Sequence, residues 1–292
     1  MQPVMFSILG FDIRFYGVAI ALGFFLALKV AKTHAKEIGF PLPIVENFAF
    51  IAMFSGVLGA RIYYIIFNWG YYSKNLREIL IVWHGGLAIH GGIIGGMIGA
   101  FIYANIKKVK TLTFGDMAAA PFLLGQSIGR IGNFMNGEIH GVPVFTPLKV
   151  IFSIRPTFYN WYSHYMALPI IEKMNYNNLV PWGVTFPVTS SAGSEFPDTP
   201  LHPAMLYELV LNFIGFLIIW FILKKKKNRK TGYLWWWYLI IYSIIRIFVS
   251  FFRAEDLMFL GFRAPHVISA IIILISIIGL NFNERRKLWK IK

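Results

Sequence analysis

Thirteen consecutive residues, Gly129-Arg130-Ile131-Gly132-Asn133-Phe134-Met135-Asn136-Gly137-Glu138-Ile139-His140-Gly141, pack an arginine, two asparagines, a glutamate and four glycines onto the end of a long apolar run. Polar and ionisable groups at the end of a membrane segment are costly unless paired, so they mark a functional site by default. Four glycines let the backbone turn tightly and approach a ligand closely. A second group follows at Tyr242, Arg246, Ser250 and Arg253, whose i, i+4, i+8, i+11 spacing places them on one helix face. An arginine midway down an apolar helix calls for an anion, and a lipid phosphate is the reading favoured for Arg246. His90 lies in the glycine-rich run Gly85 to Gly96. The small-xxx-small spacing of Gly91/Gly95 and Gly92/Gly96 there signals close helix packing. His90 is therefore either a packing residue or a proton acceptor, and His84 reads as a surface residue. Arg61 either snorkels to the headgroups or binds lipid.

These side chains need elements to carry them, and the composition says which kind. The 292 residues are 57% hydrophobic and only 14% charged, and the mean hydropathy of +0.60 is too high for an ordinary soluble domain. The expected fold is an all-α integral membrane protein of about seven transmembrane helices, a single membrane-embedded domain over 1–292. The spans are expected at about 16–31, 48–67, 87–106, 114–131, 204–223, 233–252 and 267–280. Basic residues follow every second span: Lys29, Lys32 and Lys36; Lys107, Lys108 and Lys110; Lys224 to Lys230; and Arg285 to Lys292. The positive-inside rule then puts the N-terminus outside and the C-terminus in the cytoplasm. The segment 140–202 becomes a long external connection between helices four and five. It is rich in prolines and aromatics and is expected to carry some order, as a small cap or as interfacial amphipathic pieces.

The net charge of +15 sits in these blocks between apolar runs, so nucleic acid is a poor partner and anionic membrane lipid a good one. There is no cysteine, which excludes a cysteine nucleophile, a thiolate metal site and a disulfide. Any thiol in the reaction belongs to the substrate. Met1 to Arg14 lacks the basic start of a cleavable signal peptide, so the first apolar run is expected to be retained. With this topology Tyr16, Arg61, His90, Arg130, Tyr207, Glu208 and Arg246 all fall in the outer half of the membrane. One outward-facing polar cavity would produce that distribution.

Tyr16-Gly17, Gly59-Ala60-Arg61, His90-Gly91-Gly92, Gly129 to Gly141, Trp182 to Pro187, His202-Pro203 with Leu206-Tyr207-Glu208, and Arg246 with Phe251-Phe252-Arg253 resemble, in matching order, the blocks of the bacterial prolipoprotein diacylglyceryl transferases. The resemblance spans nearly the whole chain. It implies transfer of the diacylglyceryl group of phosphatidylglycerol to the sulfur of the lipobox cysteine in a prolipoprotein signal peptide. The products are a thioether and glycerol 1-phosphate, and no metal or cofactor is required. It further implies a multi-pass protein of the bacterial cytoplasmic (inner) membrane whose site opens to the outer leaflet. Arg130 and Arg246 would hold the leaving phosphate and His90 would take the thiol proton. Asn133, Asn136, Gly137, Glu138 and Gly141 would shape the glycerol headgroup site, with Tyr16, Arg61, Tyr207, Glu208, Tyr242 and Arg253 as further lipid contacts. Two departures stand out. Many members carry glutamate where this chain has Ser250, and the external segment between Pro143 and Pro181 is enlarged. Two other readings compete: a phosphatidylglycerol-dependent transferase with another acceptor, and a lipid transporter or flippase. The second predicts midplane polar groups and inverted repeats, which the sequence lacks.

Overall fold

The computed structural model describes residues 4–8, 11–81, 85–226, 229–254 and 257–282. His84, Lys227, Glu255, Asp256 and the basic residues Arg285 to Lys292 lie outside the described residues. The chain is mostly helical. Among the described residues, six helices are long and apolar enough to cross a membrane: Phe15–Glu37, Leu42–Phe67, Ile89–Ile106, Ala204–Lys225, Tyr233–Phe252 and Ala264–Asn281. They coincide with six of the seven expected spans. The remaining run falls within a helix over Thr111–Asn136. At 1.5 Å per residue it is about 39 Å long. Asp116, Gln126, Arg130 and Asn133 make it less apolar than the other six.

In chain order the helices are α1 (Phe15–Glu37), α2 (Leu42–Phe67), α3 (Trp69–Tyr72), α4 (Ile89–Ile106), α5 (Thr111–Asn136), α6 (Leu148–Ile151), α7 (Phe158–Ala167), α8 (Ile170–Lys173), α9 (Ser191–Glu195), α10 (Ala204–Leu217), α11 (Tyr233–Phe252) and α12 (Ala264–Phe282). A π turn at Ile218–Ile222 and a 3-10 turn at Leu223–Lys225 prolong α10. Two antiparallel hairpins depart from an all-α reading: β1 (Val4–Ile8) with β2 (Phe11–Arg14), and β3 (Met258–Phe259) with β4 (Phe262–Arg263). Strands of two to five residues leave too short a period-2 pattern to read from sequence.

The chain divides into two compact units. One holds Leu28–Met117. Its centre is the contact of α2 with α4, made by the glycine run: a Cβ on Gly59 would stand 2.5 Å from the Gly91 carbonyl oxygen, and one on Gly95 would stand 2.4 Å from that of Ser55. The spacing read as packing is packing. At the other end of this unit Phe40, Phe48, Tyr103 and Phe114 form an aromatic core, with Phe48 and Phe114 stacked at 4.1 Å.

The other unit holds Met1–Ala27 and Ala118–Arg286. Ala119, Ala120 and Leu123 of α5 meet Ile219, Leu234 and Tyr238 in a buried cluster. α11 packs on α12 where Gly279 lies under the Trp236 indole, with room for no Cβ. Residues 140–202 carry the order expected of them. The four short helices α6 to α9 surround a core of Val142, Ile151, Phe158, Phe186, Phe196 and Leu201. β-bridges Pro143–Leu201 and Val184–Leu201 close this segment, and Gly141–Arg253 ties it to the end of α11.

Candidate active site

The signature stretch begins on a helix and ends as a helix cap. Gln126, Arg130 and Asn133 recur at i, i+4 and i+7 on one face of α5, and Asn136 is its last residue. Gly137 then takes φ +62°, the left-handed conformation that favours glycine. The Gly137 N–H donates to the Phe134 carbonyl at 3.1 Å and the Glu138 N–H to that of Asn133 at 3.0 Å. These two bonds make a Schellman turn, which folds Glu138 back over the helix end. Its carboxylate accepts from Asn136 Nδ2 at 3.2 Å and from Asn133 Nδ2 at 3.4 Å. Asn133 Oδ1 in turn accepts from Arg130 Nη1 at 2.9 Å.

Arg130 Nη2 meets Glu208 Oε1 of α10 at 2.5 Å. Glu208 is fully buried, and among the described residues its Oε2 accepts no hydrogen bond. A buried carboxylate without a cation is strongly destabilising, so Glu208 and Arg130 hold each other in place. The Arg130 Nε–H is buried and donates to no acceptor among the described residues. The guanidinium is thus oriented by a carboxylate and an amide while keeping donors in hand.

Tyr16, at the start of α1, is brought to this network by Gly132. A Cβ there would stand 2.8 Å from the tyrosine Cδ2 and 2.9 Å from its Cα. On α11, Tyr242 and Arg246 line a shared cavity, Ser250 is fully buried, and Arg253 stands just past the helix end in extended backbone. Tyr242 lies in the combined field of Glu208, Arg130, Arg246 and Arg253. A cavity of about 720 Å³ opens beside it, with Tyr242, Ser243, Arg246, Arg253 and Arg263 in its wall, α12 on one side and Phe158 and Tyr159 of α7 on another. Three arginines in the lining favour an anionic ligand.

Gly141 lets three chain segments meet. Its N–H donates to the His202 carbonyl at 2.9 Å, and a Cβ would come 2.4 Å from that oxygen and 2.8 Å from the Phe252 oxygen. Tyr207 has a defined task as well: its hydroxyl accepts from Trp182 Nε1 at 2.9 Å and sits 2.9 Å from His202 Nδ1. The contact joins the phenol to a neutral imidazole. Burial pushes the His202 pKa down to about 4, in keeping with that state.

Two expected site residues belong to the other unit. His90 is exposed in the first turn of α4, its ring 6.2 Å from that of Tyr63. Arg61 is buried, and all five of its N–H groups have carbonyl partners. Nε donates to Ile79 at 3.0 Å. Nη1 donates to Gly85 at 2.7 Å and Gly86 at 3.1 Å, and Nη2 to Glu78 and to Ile81 at 3.1 Å. Its guanidinium also lies 5.2 Å from the Tyr72 ring centre.

Sequence reasoning missed Arg263, which is 2% exposed and donates from Nη1 to the Ser250 carbonyl at 2.9 Å. Ser250 thus offers its main-chain carbonyl to a buried arginine. No periodicity marks Arg263, because it leaves a hairpin and not a helix. His202 and Trp182 were legible only within the family blocks, without a role.

A family model described as prolipoprotein diacylglyceryl transferase matches residues 3–282. A phosphatidylglycerol–prolipoprotein diacylglyceryl transferase of Fusobacterium nucleatum is 61% identical over 286 residues, 98% of this chain and 99% of that protein. The chain belongs to the prolipoprotein diacylglyceryl transferase family. Proteins of the same name from Staphylococcus epidermidis and Staphylococcus aureus are 34% and 35% identical, each over 95% of this chain. They cover 88% and 87% of those proteins' lengths. Like the family it belongs to, the chain is a transferase, and its six apolar helices make it a multi-pass membrane protein.

Proposed function

We propose that this protein transfers the diacylglyceryl group of phosphatidylglycerol to the thiol of the lipobox cysteine of prolipoproteins, releasing glycerol 1-phosphate. The substrate sulfur attacks the glyceryl carbon that bears the phosphate ester. The C–O bond to phosphate breaks as the S–C thioether forms, and the thiol proton passes to a base. The departing phosphate monoester gains negative charge, so fixed cations aimed at it lower the barrier.

The observation that carries this reading is Arg130: its guanidinium is fixed by Glu208 and Asn133 while its Nε–H still has a donor to give. Arg246, in the wall of the 720 Å³ cavity, is the second cation for the phosphate, with Arg253 beside it. Asn133, Asn136 and Glu138 orient Arg130 and bind the glycerol head, while Tyr16 and Tyr242 hydrogen-bond the phosphate. Gly137 and Gly141 shape the main chain there, and Tyr207 positions Trp182 and His202. His90 is the candidate base, since a thiol of ordinary pKa about 8.5 is mostly protonated at neutral pH. For Arg61 the five carbonyl partners favour a structural role, holding the main chain at Glu78, Ile79, Ile81, Gly85 and Gly86. In this reading α5 is the seventh span and the site opens to the outer leaflet of a bacterial cytoplasmic membrane, an orientation that the basic blocks support.

Purified protein in phosphatidylglycerol liposomes with a lipobox peptide tests the reaction by mass spectrometry. The expected result is a peptide heavier by one diacylglyceryl group, with glycerol phosphate released. A peptide whose cysteine is replaced by serine should gain nothing. Mass gained on that control, or glycerol phosphate never appearing, would place the chemistry elsewhere.

A further inference from the structure

The β3–β4 hairpin joins two helices that are each long and apolar enough to cross a membrane, and residues 253–263 are all that connects them. Its place at the edge of the bilayer follows from that connection. Its surface is apolar throughout: Leu257, Met258, Phe259 and Leu260 are each more than half exposed, and Phe262 is partly exposed beside them. Leu260, at 82%, has the highest exposure of the large hydrophobic side chains described. Grouped apolar exposure of this kind marks a contact surface.

The turn at the tip makes the same point independently. Phe259 pairs with Phe262, so Leu260 and Gly261 form a two-residue loop, and both have positive φ, +51° and +79°. Such a turn favours Asn-Gly or Asp-Gly, and a leucine in the left-handed region costs folding free energy that asparagine would spare. The fold gains no buried contact in exchange, because the leucine points outward. An apolar side chain at the tip is the return for that strain.

The base of the hairpin is rigid. Arg263 is held by the Ser250 carbonyl at 2.9 Å and the Arg253 carbonyl at 3.4 Å. The Ala264 N–H donates to the Leu257 carbonyl at 2.7 Å, and the Arg155 guanidinium lies 5.6 Å from the Phe262 ring centre. Leu257 and Met258 also line the arginine-walled cavity.

We propose that the β3–β4 hairpin is a lipid-inserted wedge, its Leu257–Phe262 tip seated among phospholipid acyl chains at the mouth of the arginine-lined cavity. The apolar side chains continue the lipid-facing surface of α11 and α12, and the anchored base keeps the wedge from folding away. This inference rests on the membrane-spanning helices and not on the reaction, so it stands or fails apart from the proposed function.

The absence of cysteine makes the test clean. Leu260→Cys, labelled with an environment-sensitive fluorophore in phosphatidylglycerol liposomes, is compared with Asn177→Cys on the exposed surface of segment 140–202. Nitroxides at shallow acyl positions should quench the Leu260 label at least about threefold more than the Asn177 label, and aqueous iodide should do the reverse. Iodide quenching of the Leu260 label equal to that at Asn177 overturns the proposal. So does protection that appears only when a lipobox peptide is added, or only at protein densities that allow self-association. Leu260→Asn supplies the folding control. An unchanged or higher melting temperature in detergent agrees with a tip kept apolar for lipid, and a clear drop would mean that Leu260 serves the fold instead.

Discussion

Arg61 and Arg130 are both arginines near the ends of apolar helices, yet their surroundings differ in kind. Arg61 spends five N–H groups on five main-chain carbonyls between Glu78 and Gly86. Arg130 is held from two sides by Glu208 and Asn133 and keeps its Nε–H for another acceptor. A saturated guanidinium fastens a loop; one fixed by a carboxylate and short of an acceptor is prepared for an anion. Arg61 is the more buried, at 4% exposed against 19% for the Arg130 side chain, and the partners say what each is held for.

The largest expected effect sharpens that contrast. Arg130→Ala should lower the rate of peptide diacylglyceryl transfer by about 10²–10³, the usual loss when one fixed electrostatic contact to a developing anion goes. It should also destabilise, because Glu208 is left buried and charged. Adding Glu208→Gln should recover the melting temperature but not the rate. Recovery of both would break the comparison by making Arg130 a structural residue like Arg61.

The second effect is a pH dependence carried by His202, in the unit that holds Arg130. His202 is held neutral with its pKa near 4, below the usual value of about 6.5. Between these values the unfolded chain binds the proton and the folded chain does not. Stability is then full above about pH 6.5 and falls as pH drops towards 4, by up to about 3 kcal/mol. Thermal melts of the parent and His202→Gln across that range check it, and the variant should show the smaller loss.

Glycines give the smallest effect and the finest contrast. Gly59→Ala should destabilise by about 1–3 kcal/mol, because its Cβ would sit 2.5 Å from the Gly91 oxygen, main chain on main chain. Gly129→Ala, beside Arg130, meets nothing within 4 Å and should leave stability equal or up to about 1 kcal/mol higher. Melting temperatures of the two variants decide whether the glycine near Arg61 is packing and the one beside Arg130 open space, as the geometry has it.

Much of this was legible in the chain. Apolar runs placed six helices, because twenty or so apolar residues leave the backbone no other way to satisfy itself in lipid. The Tyr242–Arg246 face followed from helical spacing, and the close approach of α2 and α4 from glycines four apart. The span expected at 114–131 falls inside α5, which runs on to Asn136 and ends at a left-handed Gly137. The pairing of Arg130 with Glu208 was not legible, since the two are 78 positions apart and spacing carries no signal across that distance. Nor was the fate of Arg61, because carbonyl oxygens have no letter in a sequence. Arg263 and the two hairpins escaped for a related reason: their elements are too short to impose a period.

The most direct test replaces both arginines by lysine and measures turnover per folded molecule together with melting temperature. Lysine keeps the charge, so Glu208 stays paired, but it loses the guanidinium fork. The expected result is that Arg130→Lys falls by about 10²-fold in turnover with a melting temperature near the parent's. Arg61→Lys should melt earlier and turn over like the parent. An active Arg130→Lys, or an Arg61→Lys that is stable and silent, would contradict the division of labour between the two arginines.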